Sequence, residues 1–164
     1  MRRAGAALLV LGMCVTACGF RPVHGGAEGG ESAAATASVR VAPIPARTGQ
    51  LVHRELTRRL RSDRPGSGSA YRLQVELDER LAETGFRADE TATRRNITIS
   101  ASYELVDARN GRTVLRGRAR STNSANVLDQ PYATDVAERD ARQRGADDLA
   151  KKIFRDIASK LGAR

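Results

Sequence analysis

Cys18 is the residue whose setting most clearly prepares it for chemistry. It follows Val15-Thr16-Ala17, and before those residues come a short basic start, Met1-Arg2-Arg3, and the apolar run AGAALLVLGMCV at 4–15. That run has signal-peptide length and is too short to span a bilayer comfortably. Small residues leading into a cysteine form a bacterial lipobox. In such a motif the thiol accepts a diacylglycerol, the chain is cut before the cysteine, and the new amino terminus is acylated. Each buried methylene contributes about 0.8 kcal/mol, so one chain holds a membrane marginally and several hold it durably. Gly19 follows the cysteine. An aspartate there is the usual inner-membrane retention signal in enterobacteria, so the expected location is the outer membrane, with a lipid anchor and the domain on the periplasmic side.

Few other residues are arranged for chemistry. His24 falls in a Gly- and Ala-rich stretch, and His53 lies one turn into a helical pattern with no nucleophile at a matching distance. The acidic pairs Glu76/Asp78 and Asp147/Asp148 are of a kind common on solvated faces. Cys14 belongs to the leader, which leaves Cys18 as the sole thiol of the mature chain and rules out an internal disulfide and a cysteine zinc cluster. There is no Gly-rich phosphate loop and no metal-ligand spacing. The expectation is therefore no catalytic residue, no metal, no cofactor and no enzymatic activity.

Arginine supplies the pattern that remains. Lys151, Lys152 and Lys160 are the only lysines among 28 basic residues. Removing residues 1–17 lowers the formal charge from +9 to +7. Arg116, Arg118 and Arg120 alternate along one stretch, so in a strand they share a face, where like charges repel unless solvent or an anion intervenes. Arg94 and Arg95, at the start of another strand, could extend the row. Two accounts stand side by side. Glu76, Asp78 and Glu104 could make this a mixed, solvated surface, or the arginines could form a cationic ridge for phosphate groups. An exported basic domain meets acidic lipid, lipopolysaccharide, peptidoglycan or acidic protein, and nucleic acid is not an expected partner.

The elements that position these residues follow from periodicity. Residues 1–17 read as the removed signal peptide, 18–37 as the lipidated cysteine and a flexible tether, and 38–164 as one domain. SVRVAPI (38–44) is a short edge strand ended by Pro43. RTGQLVHRELTRRLRS (47–62) sets Val52, Leu56 and Leu60 on one helical stripe. RPGSGS (64–69) is a loop. YRLQVELDERL (71–81), NITISASYEL (96–105) and TVLRGRARS (113–121) alternate as strands. YATDVAERDARQRGADDLAKKIFRDIASKL (132–161) is a long helix. Its stripe is Val136, Ala146, Leu149, Ile153, Ile157 and Leu161, widened by Ala150 and Phe154, and Gly162 is its stop. The expected architecture is α+β: a two-layer sandwich in the order β-α-β-β-β-α, its four-stranded sheet covered on one face by two helices.

The turn in DARNGRT tests the register. A two-residue Asn-Gly turn would set Leu105 opposite Arg116 and bring arginines to the core face. A three-residue loop, Arg109-Asn110-Gly111, with Gly111 left-handed in a bulge, sets Leu105 opposite Leu115 and Tyr103 opposite Gly117. The second register keeps both apolar patterns intact and is the one expected.

Four stretches in order, ACGFRPVHG, QLVHRELTRRL, TRRNITISASYELVD with GRTVLRGRARS, and NVLDQPYATDVAERDARQRGADDLAKKI, resemble the lipopolysaccharide-assembly lipoproteins of the LptE family in their alphaproteobacterial form. The resemblance covers most of the mature chain. It implies a two-layer α/β lipoprotein that sits within the lumen of the outer-membrane barrel LptD as a plug, assists its assembly and receives lipopolysaccharide. An arginine ridge of Arg94, Arg95, Arg116, Arg118 and Arg120 would suit the phosphorylated head of that lipid. The loop RPGSGSA and the tether have no counterpart in the family pattern. A competing expectation from the same features is a lipoprotein that activates a peptidoglycan synthase, which also needs a long tether and a small α/β domain. An envelope hydrolase has no supporting constellation.

Overall fold

The computed structural model describes residues 36, 38–61, 69–86, 92–127 and 129–163. The leader, Cys18, His24 and most of the tether lie outside these residues, as does most of the 64–69 loop. The elements are β1 (Val39–Val41), α1 (Arg47–Leu60), β2 (Tyr71–Phe86), β3 (Ala92–Asp107), β4 (Thr113–Asn126) and α2 (Pro131–Gly162). This is the expected β-α-β-β-β-α order. One sheet carries the strands in the order β1-β2-β3-β4, with β1 parallel to β2 and both hairpins antiparallel. No helix among the described residues is long and apolar enough to cross a membrane.

Alternation decides the two faces of the sheet. Leu73 and Val75 of β2, Ile97, Ile99, Ala101, Tyr103 and Leu105 of β3, and Ser121 and Ala125 of β4 are buried beneath the helices. Val52, Leu56 and Leu60 of α1 and Leu149, Ile153 and Ile157 of α2 meet them in a single core, most of them with no exposure at all. Burying side chains of this size contributes roughly 1.5–3 kcal/mol each. One residue of the expected stripe departs from it: Val136 is 44% exposed, and Thr134 and Ala141 are buried instead. The sheet twist rotates the covered side of so long a helix, so its first turns use a different stripe from its last.

The β3–β4 register is as expected, with Leu105 opposite Leu115 and Tyr103 opposite Gly117. The turn is built differently. The amide of Asp107 donates to the carbonyl of Arg112 at 2.9 Å and that of Gly111 to the carbonyl of Asp107 at 2.9 Å, so the loop is the four residues 108–111. Gly111 has φ +70° as expected. The additional residue is absorbed on β4, where the partners step from Leu115 to Thr113 and leave Val114 as a bulge.

Two glycines mark close approaches. A Cβ on Gly145 of α2 would lie 2.8 Å from Cδ1 of Ile99, which fixes how near the helix can settle on the sheet. A Cβ on Gly117 would lie 2.8 Å from Cε2 of Tyr103 and closer still to Cζ and Oη. The bare backbone of Gly117 is therefore the floor on which the Tyr103 ring rests. Burial raises the pKa of the Tyr103 hydroxyl, as does the Asp156 carboxylate on α2 to which it donates a hydrogen bond.

Candidate functional site

The side of the sheet away from the helices carries the charge pattern. Three rungs cross it: Gln74–Glu104–Arg116, Glu76–Ser102–Arg118 and Asp78–Ser100–Arg120. Neighbouring strands lie about 4.8 Å apart and alternate residues about 7 Å apart. Two rungs therefore grade from a carboxylate on β2, through a serine on β3, to a guanidinium on β4, and the first carries its carboxylate on β3. Direct neutralisation occurs on one rung only, where Arg116 Nε sits 2.7 Å from Glu104 Oε1. Asp78 turns instead to Arg80 on its own strand at 2.9 Å. Arg120 makes a long contact of 3.4 Å to Ser100 Oγ, and Arg118 is exposed with no ion-pair partner among the described residues. Two open depressions, of about 550 and 420 Å³, run along this face, and Arg118, Glu76 and Ser102 line both. The serine hydroxyls and the unengaged Arg118 guanidinium can donate hydrogen bonds to the oxygens of phosphate or carboxylate groups.

The structure brings Arg116, Arg118 and Arg120 together and separates Arg94 and Arg95 from them. Arg94 is on the same face but pairs with Asn126, six residues along the strand from the Ser100–Arg120 rung, roughly 20 Å away. Arg95 points to the helix face. There it binds Glu138 of α2 at 2.7 Å and Glu83 of β2 at 3.1 Å, and hydrogen bonds from Arg95 to both acids raise its pKa. It joins two layers of the domain and adds nothing to a ridge on the outer face. Its phase with Ile97 and Ile99 was the available signal, since residues two apart on a strand share a face.

The other candidates are also accounted for. His53 is half-buried on α1. Asp147 is held below its usual pKa, first by the hydrogen bond from Lys151 at 2.6 Å and then by Arg59. Asp148 is likewise lowered, chiefly by Lys152 at 2.8 Å. A hydrogen bond from Ser121 adds to the lowering at Asp148, so both acids are engaged with neighbouring side chains. No group of three potential metal ligands occurs among the described residues.

Sequence reasoning missed a second polar cluster between α1, β2 and α2. Glu79 Oε2 accepts from the Thr48 hydroxyl at 2.6 Å, and Glu79 Oε1 accepts from Arg142 Nε at 2.8 Å. Burial raises the pKa of this carboxyl, but the Thr48 and Arg142 hydrogen bonds outweigh it and leave it lowered. The cluster borders a cleft of about 580 Å³ with an apolar lining of Ile44, Pro45, Leu51 and Leu77. Glu79 is paired with Arg142 and Thr48, Glu138 with Arg142 and Asp135 with Arg139, so the arrangement ties elements together and offers no free base.

Comparison with known proteins adds one family and one fold. The profile of the LptE family, described as lipopolysaccharide-assembly, matches residues 36–157, which takes in all four strands, α1 and α2 as far as Ile157. No curated protein matches the chain significantly. Among solved structures, a lipoprotein from Caulobacter crescentus CB15 superposes with a TM-score of 0.72 at 29% identity, covering 84% of this chain and 99% of that one. A minor lipoprotein from Acinetobacter baumannii gives 0.58 at 19% identity, covering 74% and 91%. Rare lipoprotein B from Shewanella oneidensis gives 0.56 at 10% identity, covering 74% and 93%. The last two share the fold.

Proposed function

The chain belongs to the LptE lipopolysaccharide-assembly family, and from that membership we propose that it is an outer-membrane lipoprotein anchored through Cys18, acting as plug and assembly partner of the LptD barrel and contacting lipopolysaccharide. The family match carries this reading, because it runs through both layers of the domain. The architecture supports it. A plug needs a core complete in itself and a polar exterior for a wet lumen, and here one helix-covered core is backed by a sheet face of serines and charges. Arg116, Arg118 and Arg120 are the side chains for the phosphorylated head of lipopolysaccharide, with Arg118 unengaged among the described residues and therefore least costly to recruit. The protein works by binding and positioning, with no turnover of its own.

The test is co-purification of the lipidated chain from detergent-solubilised envelope, with the partner identified by mass spectrometry. A stoichiometric outer-membrane barrel is the expected result. A cell-wall synthase in its place would transfer the chain to the peptidoglycan reading.

A further inference from the structure

β4 is an edge strand of 14 residues, and its unpaired side is treated unevenly. The carbonyls of Arg120 and Ser124 point away from β3, because Lys152 Nζ donates to the first at 2.7 Å and Arg144 to the second at 3.3 Å, both from α2. Backbone groups alternate in direction along a strand. The N–H and C=O of Arg116 and Arg118 therefore also point outward, and nothing among the described residues satisfies them. α2 blunts the second half of this edge and leaves the first half, Thr113 to Arg118, as an open template. An open edge invites strand addition.

Charge narrows what could be added. Residues 113–120 contain three arginines and no acid. Arg155, three residues beyond Lys152 on α2, places another exposed cation on the same flank. A second copy pairing edge to edge would set arginines against arginines, which is unfavourable. We infer that the Thr113–Arg118 edge of β4 receives an extended, acid-bearing strand of a partner protein, whose backbone pairs with Arg116 and Arg118 while its carboxylates face their guanidiniums. This rests on the chain working within an envelope assembly and specifies how a partner is gripped there.

The test uses the full lipidated chain in its own cells, with a photoreactive residue at exposed Thr113 and the crosslinked segment sequenced by mass spectrometry. Two variants separate backbone from charge. Arg118→Pro removes an outward N–H without touching the β3 ladder, a place where an edge strand tolerates proline. Arg118→Gln removes the charge alone. The expected result is a crosslink to an acidic extended segment of one envelope protein, lowered about fivefold or more by Arg118→Pro and about twofold by Arg118→Gln. Arg116→Pro, whose N–H points the same way, serves should Arg118→Pro fail to give a wild-type melting curve. Equal effects of proline and glutamine, or crosslinks to lipopolysaccharide alone, would overturn strand addition. A strand from a protein other than a barrel would uphold it and overturn the plug reading.

Discussion

Gly117→Ala is the perturbation that tests the packing of this domain most sharply. Replacing glycine within a strand usually helps, since glycine costs backbone entropy and offers no side chain to pack. Here the new methyl would lie 2.8 Å from Cε2 of Tyr103 and nearer to Cζ and Oη. Ordinary carbon contacts are about 3.5–4.0 Å, so the ring or the strand must yield by roughly 1 Å. Movement of the ring breaks its hydrogen bond to Asp156. A hydrogen bond to a charged acceptor is worth about 1.5–3 kcal/mol, discounted here to the lower end because Asp156 is exposed. Overpacking adds about 1–3 kcal/mol. The expected loss is about 3 kcal/mol, measured by urea denaturation of the chain produced without residues 1–18. Tyr103→Val, which removes the ring, should recover at least about 1 kcal/mol in the double mutant through coupling of the two sites. A Gly117→Ala variant as stable as the parent, or a strictly additive double mutant, would refute the argument that Tyr103 rests on bare backbone.

Further predictions concern pH, charge and the anchor. The carboxyls of Glu79, Asp147 and Asp148 all titrate below their ordinary values of 4.5, 3.8 and 3.8. Their stabilisation is present above those values and lost as pH falls through the lower folded-state ones, because the unfolded chain then binds more protons. Glu79→Gln should therefore flatten the fall in stability below about pH 4.5, read from melting curves against pH, and an unchanged slope would remove Glu79 from the account. Arg116→Glu with Arg118→Glu should weaken lipopolysaccharide binding most at low salt while leaving the melting curve intact. Binding that stays constant across several salt concentrations would return the outer face to a solvated role. Cys18→Ala should abolish lipidation and leave uncleaved or soluble chain; acylation of that variant, followed by metabolic labelling with a fatty acid, would remove the lipobox assignment.

Local sequence determined the elements, their order and the side of the sheet that each strand residue occupies. The period-2 pattern of Tyr71 to Leu77 and Ile97 to Leu105 leaves one assignment of faces, since shifting a strand by one residue would exchange core for solvent. The same rule chose Leu105 opposite Leu115, because the alternative register buries arginine. It even contained the fate of Arg95, in phase with Ile97, which the adjacency of Arg94 and Arg95 obscured. Tertiary structure decided what depends on partners far along the chain. β2 and β3 run past Leu81 and begin before Asn96, where local hydrophobic alternation has ended. They continue because Glu79 on the helix face pairs with Arg142 of α2, and Arg95 bridges Glu83 of β2 and Glu138 of α2. Local periodicity registers apolar burial within a few residues; it carries no record of ion pairs closed across 43 or 63 residues. For the same reason the open half of β4 could be found only in the fold. The strand's arginines are visible in sequence, but which backbone groups remain unpaired depends on where α2 lays Lys152 and Arg144.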